Sequence, residues 1–195
     1  MNLIKDKDLP QRKTIRFYGY DYLQEGLYFV TICVKDKVCL FGNIDDDEMV
    51  LNEAGKMIKN QWLTLKKYFI NIELHEYCIM PNHFHGIIQF TGNVQAFVGM
   101  PLVGTRRNMG NGQPQGIAPT TKNDKSLGDI IGAFKSITTN QYILGVKNYD
   151  WPSFRNKLWQ RNYYEHIIRN DDSYQKITEY IHENPKYWQT DDYYI

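Results

Sequence analysis

The sequence predicts an α+β domain of the ferredoxin-like (split βαβ) kind, an antiparallel sheet with helices on one face and a C-terminal helix carrying a candidate nucleophile. Three observations lead there. Short runs of β-branched and aromatic residues recur at 27–34, 72–80 and 83–90. Two helical patterns with one apolar face, at 52–68 and from 126 onward, separate strand-like segments. The resulting order, β-(β)-α-β-β-α-β-α, sends both helices across between strands of one sheet.

Each element has its own justification. LYFVTICV at 27–34 is apolar at consecutive positions, as in a strand buried on both faces. A polar turn, Lys35-Asp36-Lys37, precedes a second short run at 38–41, so the two predict a hairpin. Asn52 can cap the first helix, whose Ala54, Met57, Ile58, Trp62 and Leu65 share one face. Pro81-Asn82 is a turn signal between the strands at 72–80 and 83–90. Ser126 with Asp129 forms a capping-box pattern before Leu127, Ile130, Ile131, Phe134 and Ile137. LWQRNYYEHII at 158–168 reads as an aromatic-rich strand. Asn170 opens the last helix, which ends at Asn184 because the residue before a proline disfavours helix.

With 195 residues, the chain predicts a single domain spanning 1–195. Two parts stand apart: a basic N-terminal arm (1–17) and a Gly-, Pro- and Gln-rich insertion at about 91–125, read as flexible. A hydrophobic content of 42% excludes a disordered chain, and no apolar run reaches the ~18 residues of a membrane helix. The formal charge of +1 gives no bulk attraction to nucleic acid, which weakens a purely electrostatic DNA binder and leaves room for a local basic patch. Three cysteines without a CxxC pair suit a reducing cytoplasm, the expected location.

The chemistry concentrates in three places. In a strand, His83 and His85 point to one face and Phe84 to the other, so both imidazoles can converge on one divalent metal. The tripeptide also suits two partly exposed polar residues at a strand start. On the last helix, Tyr180 and Asn184 are i, i+4 and share a face. Tyr180 can attack an electrophile or pack beside Ile177 and Ile181. His182 and Glu183 lie about 200° and 100° around the helix from Tyr180 and are poorer partners.

MPNHFHGII (80–88), LWQRNYYEHIIRN (158–170) and EYIHENP (179–185), in that order, resemble the single-tyrosine HUH transposases. The branch most similar is that of the REP-associated tyrosine transposases, and the resemblance runs from about Arg12 to Trp188. It implies that His83 and His85 are metal ligands and Tyr180 the nucleophile. Members often carry Gln four residues after the tyrosine as third ligand; here Asn184 stands there, one methylene shorter. The implied reaction is cleavage and transfer of single-stranded or hairpin DNA through a 5′-phosphotyrosine, with Mg²⁺ or Mn²⁺ as cofactor and a monomer or homodimer as the working unit. Two imidazoles and an amide suit Mn²⁺ at least as well as Mg²⁺.

DNA contacts are expected from Arg12 and Lys13 of the arm, Arg106 and Arg107 of the insertion, and Trp159 and Arg161. Trp159 can stack on bases or pack the sheet edge. His75 and His166 read as structural, Asp45-Asp46-Asp47-Glu48 as solvated surface, and Cys33 and Cys78 as core. Two rival functions remain: a domesticated, non-catalytic DNA- or RNA-binding module of the same fold, and a zinc hydrolase using His83, His85 and Glu183.

Overall fold

A computed structural model describes residues 25–91 and 125–194. Its main sheet has four strands in the order β4-β5-β1-β6, all antiparallel: β1 (Gly26–Cys33), β4 (Ile72–Ile79), β5 (His83–Phe90) and β6 (Tyr164–Ile168). A small hairpin, β2 (Gly42–Asp45) with β3 (Glu48–Leu51), stands beside it. Helix α1 (Glu53–Tyr68) leads from β3 into β4, α2 (Leu127–Tyr149) precedes β6, and α3 (Asp171–Glu183) follows it. This is the expected α+β, split βαβ plan.

Alternation along the two central strands divides the molecule into layers. Tyr28, Val30 and Ile32 of β1 and Phe84, Ile88 and Phe90 of β5 face α1 and α2, where Ile58, Trp62, Leu65, Ile130 and Phe134 complete the main core. Phe29 and Ile87 point the other way and meet Tyr174, Ile177 and Ile181 of α3. Among the described residues the sheet therefore lies between an α1–α2 layer and α3. Gly86 sits in β5 directly after His85, and a Cβ there would come within 2.7 Å of Trp62 Cζ2. Its missing side chain lets α1 press its tryptophan onto the strand that carries the histidines.

The caps form as the sequence implies. Asn52 accepts from the Gly55 amide at 2.9 Å, Ser126 and Asp129 make a reciprocal capping box, and Asn170 accepts from the Ser173 amide at 2.8 Å.

Two expectations need correction. The run at 38–41 is not a strand, because the Leu40 and Phe41 amides both bond the Pro81 carbonyl. The hairpin lies one segment later and turns at Asp46 and Asp47, both with positive φ (46° and 62°). The acidic run is thus a tight turn whose aspartates tolerate the left-handed region. The strand expected at 158–168 is confined to Tyr164–Ile168. Before it, Trp159 makes an isolated antiparallel bridge with Val34, and the carbonyls of Gln160 and Asn162 turn to the Lys135 ammonium at 3.0 and 2.9 Å. Burial lowers the Lys135 pKa to about 8.

Candidate metal and nucleophile site

The site is built on the α3 side of the sheet. His83 and His85 project there from β5 and are almost wholly buried. In the β1–β5 register Thr31 lies opposite His85 and Cys33 opposite His83, so both also face α3.

Hydrogen bonds assign the imidazole tautomers. The Asn82 Nδ2 amide donates to the carbonyls of Lys37 and Tyr193, both at 2.9 Å, which turns its Oδ1 toward His83 Nδ1, also at 2.9 Å. His83 therefore carries its proton on Nδ1 and presents a lone pair at Nε2. That lone pair faces His85 Nε2 at 2.9 Å. His85 Nδ1 in turn meets Thr31 Oγ1 at 2.9 Å. A hydroxyl can donate or accept, so Thr31 suits either a His85 whose Nε2–H is shared with His83, donating to its Nδ1, or a His85 protonated on Nδ1, accepting from it while its Nε2 lone pair joins that of His83 toward a cation.

Burial lowers the His83 pKa to about 4, the nearby Asp191 carboxylate opposing this. Burial, joined by the charge of His83, holds His85 well below the ordinary imidazole value. Both rings are neutral at physiological pH, the form in which imidazole binds metal.

Helix α3 brings the remaining groups. Its apolar side, Tyr174, Ile177 and Ile181, seats it on Phe29 and Ile87. That docking sets the Tyr180 hydroxyl 3.4 Å from His85 Nε2, with the two rings 5.2 Å apart. Phe29 stacks on His85 at 5.4 Å and meets the Tyr180 ring edge-on at 6.1 Å, fixing both. Tyr180 is 45% exposed, so a substrate can reach it. Partial burial, reinforced by the Asp191 carboxylate, raises its pKa to about 12.

One turn on, Asn184 is 3% exposed; its Nδ2 donates to Asp191 Oδ2 at 3.1 Å while its Oδ1 is buried without a partner. An orphaned amide oxygen at this depth costs free energy unless something electropositive meets it.

Asp191 was not anticipated. It follows the short helical turn Trp188–Thr190, whose buried Trp188 packs 6.0 Å from the His83 ring. The ligand atoms of His83, His85 and Asp191 all lie within 4.8 Å of one another. Tyr193 also closes over this side, its ring 4.6 Å from His83 and its amide bonded to Asp191 Oδ1. A lone aspartate near the chain end carries no periodicity; only the preceding tryptophan hinted that the segment folds back.

Two imidazole nitrogens, a carboxylate and an unpartnered amide oxygen form a donor set that fits a divalent cation of intermediate hardness. Glu183, by contrast, is exposed, and His182 faces outward to Glu76 at 3.2 Å. His75 is satisfied by the Tyr174 hydroxyl and Gln89, at 3.0 and 2.9 Å.

Of the expected DNA contacts, Arg161 is exposed beside Lys157 and Gln160 along a 320 Å³ cleft. Trp159 must be corrected. It is 4% exposed, its indole N–H donates to Thr138 at 2.8 Å, and it packs against Phe41 and Phe134. With both faces covered it has none to offer a base. Arg12, Lys13, Arg106 and Arg107 lie outside the described residues, as do the arm and nearly all of the insertion.

No family model matches the sequence. A protein of Haemophilus influenzae, described only as uncharacterized, is 37% identical over 187 residues, which cover 96% of this chain and 95% of that protein. The chain belongs to one family with it. Among solved structures, a REP-associated tyrosine transposase bound to a REP hairpin is similar, with a TM-score of 0.50 and 17% identity over 88% of this chain and 73% of the other. The chain has the tyrosine transposase fold. His83 and His85 lie on β5 and Tyr180 on α3, the two elements that meet at the buried cluster. Among the described residues no helix is long and apolar enough to cross a membrane.

Proposed function

We propose that the chain is a metal-dependent, single-stranded DNA endonuclease and strand transferase that works through a 5′-phosphotyrosine. The observation that carries this reading is the approach of Tyr180 Oη to within 3.4 Å of a buried pair of neutral histidines, beside an orphaned amide oxygen. His83, His85, Asp191 and Asn184 Oδ1 would hold a divalent cation. When bound, such a cation neutralises charge on the scissile phosphate and favours the ionised phenol. The donor set suits Mn²⁺ at least as well as Mg²⁺.

The protein's own groups then divide the work. Tyr180 Oη attacks phosphorus; the O–P bond to tyrosine forms as the P–O3′ bond breaks, the phenol gives up its proton, and the leaving oxygen takes one to become a 3′-hydroxyl. Phe29 and His85 hold the phenol ring in place before attack, a contribution of orientation. Asn82 and Thr31 keep the imidazoles in ligating orientation. The phosphotyrosine conserves the energy of the broken bond, so a second 3′-hydroxyl can reverse the step onto another strand without ATP.

The solved neighbour was captured with a REP hairpin, which supports hairpin DNA as the substrate class. The test incubates the protein with a 5′-overhang hairpin and Mn²⁺ and looks for a DNA–protein adduct on denaturing gels. An adduct from the wild type and none from Tyr180→Phe is the expected result. Binding without any adduct would favour a non-catalytic DNA-binding module, and an adduct persisting in Tyr180→Phe would move the nucleophile elsewhere.

A further inference from the structure

One turn before Tyr180, on the same side of α3, the surface is concave. A cavity of 420 Å³ is lined by Phe29 of β1, Tyr164 and His166 of β6, and Ser173, Lys176 and Ile177 of α3. That volume falls within the ~300–1,000 Å³ of ligand clefts. Its floor is the ring of Phe29, which also touches Tyr180 and His85. Its wall is Tyr164, 49% exposed and edge-on to Phe29 at 6.3 Å. An aromatic held this open, inside a cleft rather than on a convex surface, leaves a ring face free for stacking. Lys176 is four residues before Tyr180 and shares its helix face. Its partner Asp172 also lines the cavity, and that ion pair is largely solvent-exposed and therefore readily exchanged for another anion.

We propose that this cavity holds the first unpaired nucleobase on the 3′ side of the cleaved bond, the nucleotide whose 5′-phosphate stays on the protein. This rests on Tyr180 being the nucleophile. In-line displacement sets the departing 3′ oxygen opposite Tyr180 Oη and leaves the retained nucleotide's O5′ in the equatorial plane of the same phosphorus. The retained nucleotide remains bonded through that phosphorus to Tyr180, one helical turn from the cavity lining at Lys176 and Ile177. Its base stacks on Tyr164 over the edge of Phe29, and His166, Ser173 and Lys176 face its polar edge and following phosphate. Stacking on a tyrosine tolerates every base, whereas the polar rim can prefer some.

The experiment is a two-by-two binding cycle that mimics the retained strand. One axis is wild type against Tyr164→Ala. The other is a 5′-phosphorylated thymidine tetranucleotide against the same probe with its first residue abasic, all with Mn²⁺. Tyr164→Ala should weaken binding of the intact probe by about 5- to 100-fold, and of the abasic probe by less than about twofold. Tyr164→Phe, which keeps the ring, should bind like the wild type. Equal losses on both probes, or no loss on either, would overturn the proposal. The adduct assay separates this from the function itself. Adducts without coupling in the cycle would remove only the base pocket, while coupling without adducts would keep the pocket and refute catalysis.

Discussion

Thr31→Val is a sensitive test of how the histidine pair works. The substitution keeps the shape of a residue 2% exposed and removes only the hydroxyl 2.9 Å from His85 Nδ1. Two costs follow. Without metal, His85 Nδ1 loses its partner in a buried setting, which destabilises the fold by about 1–3 kcal/mol. With metal, the loss is felt further, because a ligated imidazole is a stronger N–H donor and Thr31 Oγ1 is what accepts its hydrogen bond. Removing such a support weakens metal binding by about 10–100-fold, or about 1.4–2.8 kcal/mol. Calorimetric titration with Mn²⁺ measures the second term and urea unfolding of the metal-free protein the first. Thr31→Ser should restore both. If Thr31→Val binds Mn²⁺ within twofold of the wild type, the hydroxyl does not set the His85 tautomer and the two-state role given to it is wrong.

Three further outcomes are expected. Asp191→Asn keeps the fold-back of the 188–194 segment but removes the anionic oxygen beside the histidines, so Mn²⁺ affinity should fall by more than the ~10–100-fold typical of a supporting residue; an unchanged titration would exclude Asp191 as a ligand. His83→Ala and His85→Ala should each abolish Mn²⁺ binding, whereas His75→Ala, which loses only bonds to Tyr174 and Gln89, should leave it intact. For pH, the unfolded chain's histidines titrate near 6.5 while His83 in the fold titrates near 4, so the unfolded state takes up protons first as pH drops. Stability from this group is complete above about 6.5 and is lost down to about 4, roughly 3 kcal/mol across that window; metal-free urea midpoints that stay flat from pH 7.5 to 4.5 would contradict the burial of the pair.

Most of the fold could be read from local signals because those signals are strong here. Asn52, Ser126 and Asn170 each cap a helix through a bond that their own side chain makes, so the helix starts follow from three residues at a time. The errors fall where a distant group decides. Nothing near 38–41 reveals that Pro81 will take its amides, and nothing within 158–163 reveals that Lys135, more than twenty residues earlier, will take its carbonyls. Trp159 failed for the same reason: its partner Thr138 lies on α2, and aromatic character alone cannot distinguish a core ring from a base-stacking one.

The candidate site divides along the same line. His83 with His85 and Tyr180 with Asn184 are pairs whose geometry follows from the period of a strand and of a helix. Their meeting requires only that α3 dock by the face its apolar residues already mark. Asp191 and Thr31 obey no such period. Thr31 enters through strand register, set by the whole β1–β5 ladder, and Asp191 through a turn anchored by a single buried tryptophan. Both act on the histidines from outside the motif: one accepts or donates a hydrogen bond at His85 Nδ1, the other brings a carboxylate to the ligand cluster. The imidazoles, the phenol and the amide are therefore visible in the sequence, while the carboxylate and the hydroxyl that bias the pair toward a cation or a shared proton emerge only in three dimensions. A chain retaining His83, His85 and Tyr180 but lacking Thr31 and Asp191 would keep the motif and should lose the metal, so motif matching alone is a weaker guide to activity than the motif together with these two contacts.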